Sequence, residues 1–212
     1  MRLLPILFCI SDAVYVSVDP TGFQTYYTGL ARPPVVRATG QETTVHTGGT
    51  PARLDWRERI GDVPVRNQAG CGSCWAFATI GPVEFLIRNL TGTTEDLSEQ
   101  ALVSCNQDGF SCTAGGWWAF DTIARMGIMR EDCLPYVARD TGCAPRCPSI
   151  ANVRLKTWQY VDRYGGKPPV DALKRAVLQM GPLAVAVSVG NEFFGYKSGI
   201  FDFNAALNRT DR

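Results

Sequence analysis

The stretch Gln68-Ala69-Gly70-Cys71-Gly72-Ser73-Cys74-Trp75-Ala76-Phe77 constrains this 212-residue chain more than any other. It joins two cysteines, through a tight Gly/Ser turn, to an apolar run that reads as a helix. A cysteine at such a junction faces the positive end of the helix dipole, and the unpaired backbone N–H groups there favour thiolate over thiol. The thiolate is the attacking form, so Cys74 reads as a nucleophile. Gln68, six residues earlier, suits the other half of that chemistry. Attack on a carbonyl carbon puts negative charge on its oxygen, and a side-chain amide together with the backbone N–H of Cys74 can receive it. Losing one such donor typically costs ~2.7–4 kcal/mol of barrier.

Composition narrows the setting. Eight cysteines are many for a reduced cytosolic protein and suggest an oxidising compartment. The net charge of +1, from 21 basic and 20 acidic residues, points to neither nucleic acid nor an anionic membrane. No run reaches the ~18–20 apolar residues of a membrane span. A single histidine exists, His46, in a Thr/Gly-rich segment ahead of the cysteine loop, and it reads as a solvated loop residue.

Cys-x-x-Cys is also a redox and a zinc pattern. Here Trp75 follows the second cysteine instead of preceding the first. Zinc would have to draw on Cys105 and Cys112 at poor spacing. The run Cys71-Gly72-Ser73-Cys74-Trp75 fits the signature of papain and cathepsin cysteines. The chain therefore resembles the papain-like cysteine peptidases from about Leu54-Asp55-Trp56-Arg57, which is similar to the start of the mature domain, to Phe201. The resemblance implies Cys74 as nucleophile and Gln68 as oxyanion donor. It also implies substrate contacts at Gly115, Gly116, Trp117, Trp118 and Ala186: main-chain pairing at the glycines, and a pocket for a bulky apolar side chain at the other three. The glycines follow Cys112 as Cys-Thr-Ala-Gly-Gly, one residue longer than the family's usual spacing. Of the eight cysteines, Cys9 lies in the leader and Cys74 is free. The remaining six allow 15 pairings from sequence alone. The resemblance implies Cys71–Cys112 and Cys105–Cys143, and Cys133–Cys147 is left by elimination. No cofactor or metal is implied.

The family's histidine is expected ~130–150 residues after the cysteine, roughly positions 204–224, and none stands between 204 and Arg212. The chain is thus expected to be a truncated member, inactive alone. The alternative is a non-catalytic relative that binds peptide or a partner protein.

Taken in order, residues 1–50 read as a leader and flexible segment, with Leu3–Ile10 as a short signal-like apolar run or a buried strand. Residues 51–212 form the peptidase domain. A helix is expected after Cys74 to about Gly92, kinked near Gly81-Pro82 because proline removes a backbone bond. A second should start at the N-cap Ser98 and run through Cys105. A third is expected over Trp117–Met126, closed by Gly127. A fourth should open with Pro169 at its first position, carry Val170, Leu173, Val177 and Met180 on one face, and close at Gly181. Leu183–Val189 reads as a strand. Helices first and strands later suit an α+β fold. By resemblance it is papain-like, with a helical left domain and an incomplete β-rich right domain. Expected partners are peptide or protein substrates and the family's protein inhibitors, in a secreted or lysosomal/vacuolar setting. Asn89-Leu90-Thr91 and Asn208-Arg209-Thr210 are glycosylation acceptors if the chain is secreted.

Overall fold

Helix α2 (Cys74–Thr91) forms the centre of the computed structural model, which describes residues 49–144, 147, 148, 155, 158–161, 168–186 and 197 and the backbone of 12–15. The helix begins at the expected cysteine and ends where Gly92 adopts a left-handed conformation, its N–H donating to the Arg88 carbonyl. Trp75, Ile80, Val83, Phe85 and Ile87 are all buried on it. Pro82 is buried too, and the helix runs through it as one element. The hydroxyl of Thr79, one turn earlier, donates to the Trp75 carbonyl at 2.7 Å.

Three short helices pack around this one. Arg57–Ile60 (α1) follows Trp56, whose indole N–H donates to the Val177 carbonyl at 2.8 Å and whose ring meets Phe85 edge-on. Glu99–Cys105 (α3) starts as expected: the Ser98 hydroxyl accepts from the Ala101 N–H at 2.9 Å. Phe120–Met126 (α4) is shorter than the pattern predicts. Trp117 and Trp118 precede it without helical structure, because both indoles are buried in the core ahead of the first turn. The Thr79 hydroxyl also takes the Ala119 N–H at 3.0 Å and so fixes the entry to α4. Gly127 closes that helix as expected, its N–H donating to the Ile123 carbonyl.

Helix α5 (Val170–Met180) begins one residue later than predicted, with Pro169 at its N-cap. Val170 is exposed, so it leaves the apolar face; Leu173, Val177 and Met180 pack on the core around the buried Ala176. Gly181 ends the helix at φ 98°, and a Cβ there would stand 2.3 Å from the Phe85 ring. Two requirements thus meet at one glycine: positive φ and close approach.

A small parallel sheet completes the description. Its central strand is β1 (Asp12–Tyr15), flanked by β2 (Gln159–Tyr160) and β3 (Val185–Ala186), with Asp12 opposite Gln159 and Val14 opposite Val185. Four residues of the stretch read as leader therefore supply a strand. The expected strand over Leu183–Val189 is described only to Ala186. His46, Cys9, Phe201 and the Asn208 sequon lie outside the described residues.

Candidate active site

The cysteine loop is built from the backbone outward. The carbonyl of Gln68 accepts the Cys71 N–H, and the carbonyl of Cys71 accepts both the Ser73 N–H at 2.8 Å and the Gln68 side-chain amide at 2.9 Å. Ala69 sits at φ 50°, braced by the Asn67 side chain accepting its N–H. Gly72 donates to the Cys112 carbonyl at 3.0 Å and accepts the Trp75 indole N–H at 3.1 Å. The Cys71–Cys112 disulfide clamps the loop to a second turn, whose Cys112 N–H donates to the Asp140 carboxylate at 2.7 Å. The remaining bridges are Cys105–Cys143 and Cys133–Cys147, so all three pairs are those expected.

Cys74 is the free cysteine among the described residues. It occupies the first position of α2, half-buried, with the backbone N–H groups of Cys74 and Trp75 at the helix end beside it. Those two amides lower its pKa, as the helix-end argument requires. Burial opposes them and wins, and the thiol is pushed up to about 11. Burial thus works against the thiolate that this helix end favours. Two amide dipoles do not offset the desolvation of a sulfur anion where no cation among the described residues assists them.

Gln68 holds one amide hydrogen on the Cys71 carbonyl, which fixes the side chain beside the loop and leaves the second hydrogen to donate. Gly115 and Gly116 are buried. Gly115 accepts the Ser111 N–H at 3.0 Å, and a Cβ on Gly116 would lie 2.5 Å from the Trp75 indole. The missing side chain at Gly116 thus makes room for the tryptophan beside Cys74. Trp117, Trp118 and Ala186 belong to the same core cluster, between 3% and 5% exposed.

Sequence reasoning passed over two groups at this site. Tyr136 donates its phenol hydrogen to the Gln68 carbonyl at 2.9 Å and lies 2.5 Å from the Ser73 hydroxyl. Nothing local marks it, since it stands in the loop closed by Cys133–Cys147. Alongside is a buried acidic cluster. Arg66 pairs with Asp96 at 2.5 Å and with Glu84 at 3.8 Å; Glu84 also accepts the Leu97 N–H and Glu131 the Tyr136 N–H. Burial pushes Glu84 up to about 7 and Glu99 to about 8, and raises Glu131. The available signal was a glutamate inside the apolar run of α2.

The family model for papain family cysteine proteases matches residues 50–211. This chain belongs to the papain family. It is 39% identical to zingipain-2 of Zingiber officinale over 157 residues, covering 71% of this chain and 67% of that one. It is 33% identical to chymopapain of Carica papaya over 162 residues, 76% of this chain and 45% of the relative. Against falcipain-2a of Plasmodium falciparum it is 36% identical over 153 residues, but spans only 30% of that protein. Among solved structures, the digestive procathepsin L 3 of Tenebrio molitor larval midgut superimposes with a TM-score of 0.54 at 30% identity, covering 72% of this chain and 48% of that one. The fold is thus papain-like and α+β, with the helical part well represented and little strand described. No helix among the described residues is long and apolar enough to cross a membrane.

Proposed function

We propose that residues 51–212 form a peptidase domain in which Cys74 is the nucleophile and Gln68 an oxyanion donor, acting on peptide bonds in a secreted or lysosomal setting. The observation that carries this reading is the placement of a free cysteine on the first residue of α2, at the helix end where backbone N–H groups are unpaired. The thiolate would attack the scissile carbonyl. The tetrahedral oxyanion would draw on the Gln68 amide and the Cys74 N–H, and collapse would leave an acyl-enzyme for water to release. Gly115, Gly116, Trp117, Trp118 and Ala186 would form the substrate-binding side, open also to protein inhibitors.

A proton acceptor for Cys74 is the missing part. The sequence holds one histidine, His46, ahead of the loop. With the thiol pushed up to about 11, Cys74 stays protonated at neutral pH. Residues 1–212 alone are therefore expected to be inactive. That same high value favours a second reading, a non-catalytic relative that binds peptide or a partner protein.

Two measurements test the inactivity and the peptide-binding cleft. Incubation of the purified chain with a fluorogenic peptide should give no hydrolysis above a Cys74→Ser blank; robust Cys74-dependent cleavage would overturn the inactivity. Exposure to a peptidyl chloromethyl ketone should modify Cys74, with excess substrate peptide slowing the capture. No capture, or capture that peptide does not compete, would leave the peptide-binding cleft without support.

A further inference from the structure

We propose that Tyr136 is a positioning residue for the reacting loop: its phenol oxygen engages the Gln68 carbonyl and the Ser73 hydroxyl together, and so keeps Ser73 from capping α2. The inference rests on the reading of Cys74 and Gln68 given above.

Tyr136 has one hydroxyl hydrogen, and that hydrogen goes to Gln68 at 2.9 Å. The 2.5 Å contact with Ser73 must then be a bond donated by the serine. One oxygen thereby ties the residue carrying the oxyanion amide to the residue preceding the nucleophile. Serine at a helix N-cap ordinarily adopts extended backbone and accepts an N–H from the first turn. Ser73 does neither. It is fully buried, sits at φ −108°, ψ 15°, and makes no side-chain cap bond. Its hydroxyl is committed to Tyr136, which leaves the first-turn amides, Trp75 N–H among them, without a side-chain cap and facing Cys74.

Tyr136 is itself held firmly enough to impose this geometry. Its ring meets Phe77 edge-on at 5.0 Å, its N–H donates to Glu131 at 2.7 Å, and the next N–H, of Val137, donates to Gln100 at 3.0 Å. The contact therefore runs from a pinned strap to the loop.

Removing the phenol oxygen while keeping the ring should free the Ser73 hydroxyl to take a first-turn amide away from Cys74. The test follows alkylation of Cys74 by iodoacetamide against pH, read by mass spectrometry of the Cys74 peptide, with urea unfolding run in parallel. Tyr136→Phe is expected to slow labelling at pH 9 by about tenfold, the equivalent of one pK unit. Adding Ser73→Ala should restore the wild-type profile, since no hydroxyl is left to cap. A role that only stabilises the loop would loosen it, speed labelling, and show no such relief. An unchanged or accelerated profile in Tyr136→Phe, or a slowed one that Ser73→Ala does not relieve, overturns the inference. If Tyr136→Phe shows no cooperative unfolding transition, Ser73→Ala alone decides: its profile should stay within about twofold of wild type, well inside one pK unit, and a larger shift overturns the proposal. Absence of Cys74 labelling at every pH where wild type is folded would overturn the nucleophile assignment and this inference with it. Labelling with superimposable profiles overturns the inference alone.

Discussion

The cysteine loop and the acidic cluster beside it lie two residues apart in sequence, at Gln68 and Arg66, yet are held by opposite means. In the loop, the carbonyls of Gln68, Cys71 and Gly72, the Ser73 hydroxyl and the Trp75 indole are all hydrogen-bonded within a few residues or to Tyr136. In the cluster, one guanidinium serves several carboxyls, and Arg66 Nε and Glu131 Oε2 are buried without a hydrogen-bond partner among the described residues. Within the loop these hydrogen bonds join neutral groups. The cluster carries an excess of buried acid instead. A site can thus have a rigid rim and a pH-dependent support within one segment of chain.

The largest test of this contrast removes the cation. Arg66→Met leaves Glu84, Glu99, Glu131 and Asp96 without their shared positive charge; because Arg66 and Asp96 are partly exposed, the loss should be about 1–3 kcal/mol. Because the carboxyls can protonate instead, the loss measured by urea unfolding should be greatest near pH 8 and shrink toward pH 5. An equal loss at both would show that Arg66 acts by packing its stem.

Next comes the pH dependence of wild type. Glu84 and Glu99, at about 7 and about 8, lie above the ordinary glutamate range, so between pH 4.5 and 8 the folded chain binds more protons than the unfolded one. Stability is then fully present below the unfolded value and falls as pH rises through the folded ones. The drop from pH 5 to pH 8 should be roughly 2–3 kcal/mol, discounted for coupling within the cluster. Urea midpoints across that range measure it, and Glu99→Gln should flatten part of the slope. A flat wild-type profile would mean the cluster is hydrated and its acids ordinary. Measurements stay below pH 8.5 because the raised Cys74 thiol adds a slope of the same sign above it.

The smallest effect belongs to the loop side. Gly116→Ala would press a methyl on the Trp75 indole and should cost about 1–2 kcal/mol by overpacking. Unlike Arg66→Met, its cost should be the same at pH 5 and pH 8. A pH-dependent cost would show that strain at Trp75 reaches the cluster, and that the two regions are not independent.

Features carried by short spacing were the legible ones. The start of α2 at Cys74, the Ser98 cap, and the glycines that end α2, α4 and α5 all follow from local backbone chemistry. Where side chains from distant segments compete for one core, local pattern failed. The helix read over Trp117–Met126 loses its first turn, where Trp117 and Trp118 are buried in the core cluster, and Val170 turns to solvent although it fits the apolar face. The thiol was legible only in part for the same reason: the helix end is a local property, whereas the burial that works against it comes from the surrounding core.

By itself, then, the sequence determined the family, the cysteine proposed as nucleophile and the elements that carry it, because those depend on residues adjacent along the chain. Only the tertiary structure decided the surroundings of that cysteine. It brought Tyr136 onto Gln68 and Ser73 across more than 60 residues, placed three glutamates around Arg66, and buried Cys74 so that its thiol is pushed up. Desolvation and long-range hydrogen bonds belong to the folded neighbourhood, and no spacing along the chain encodes them.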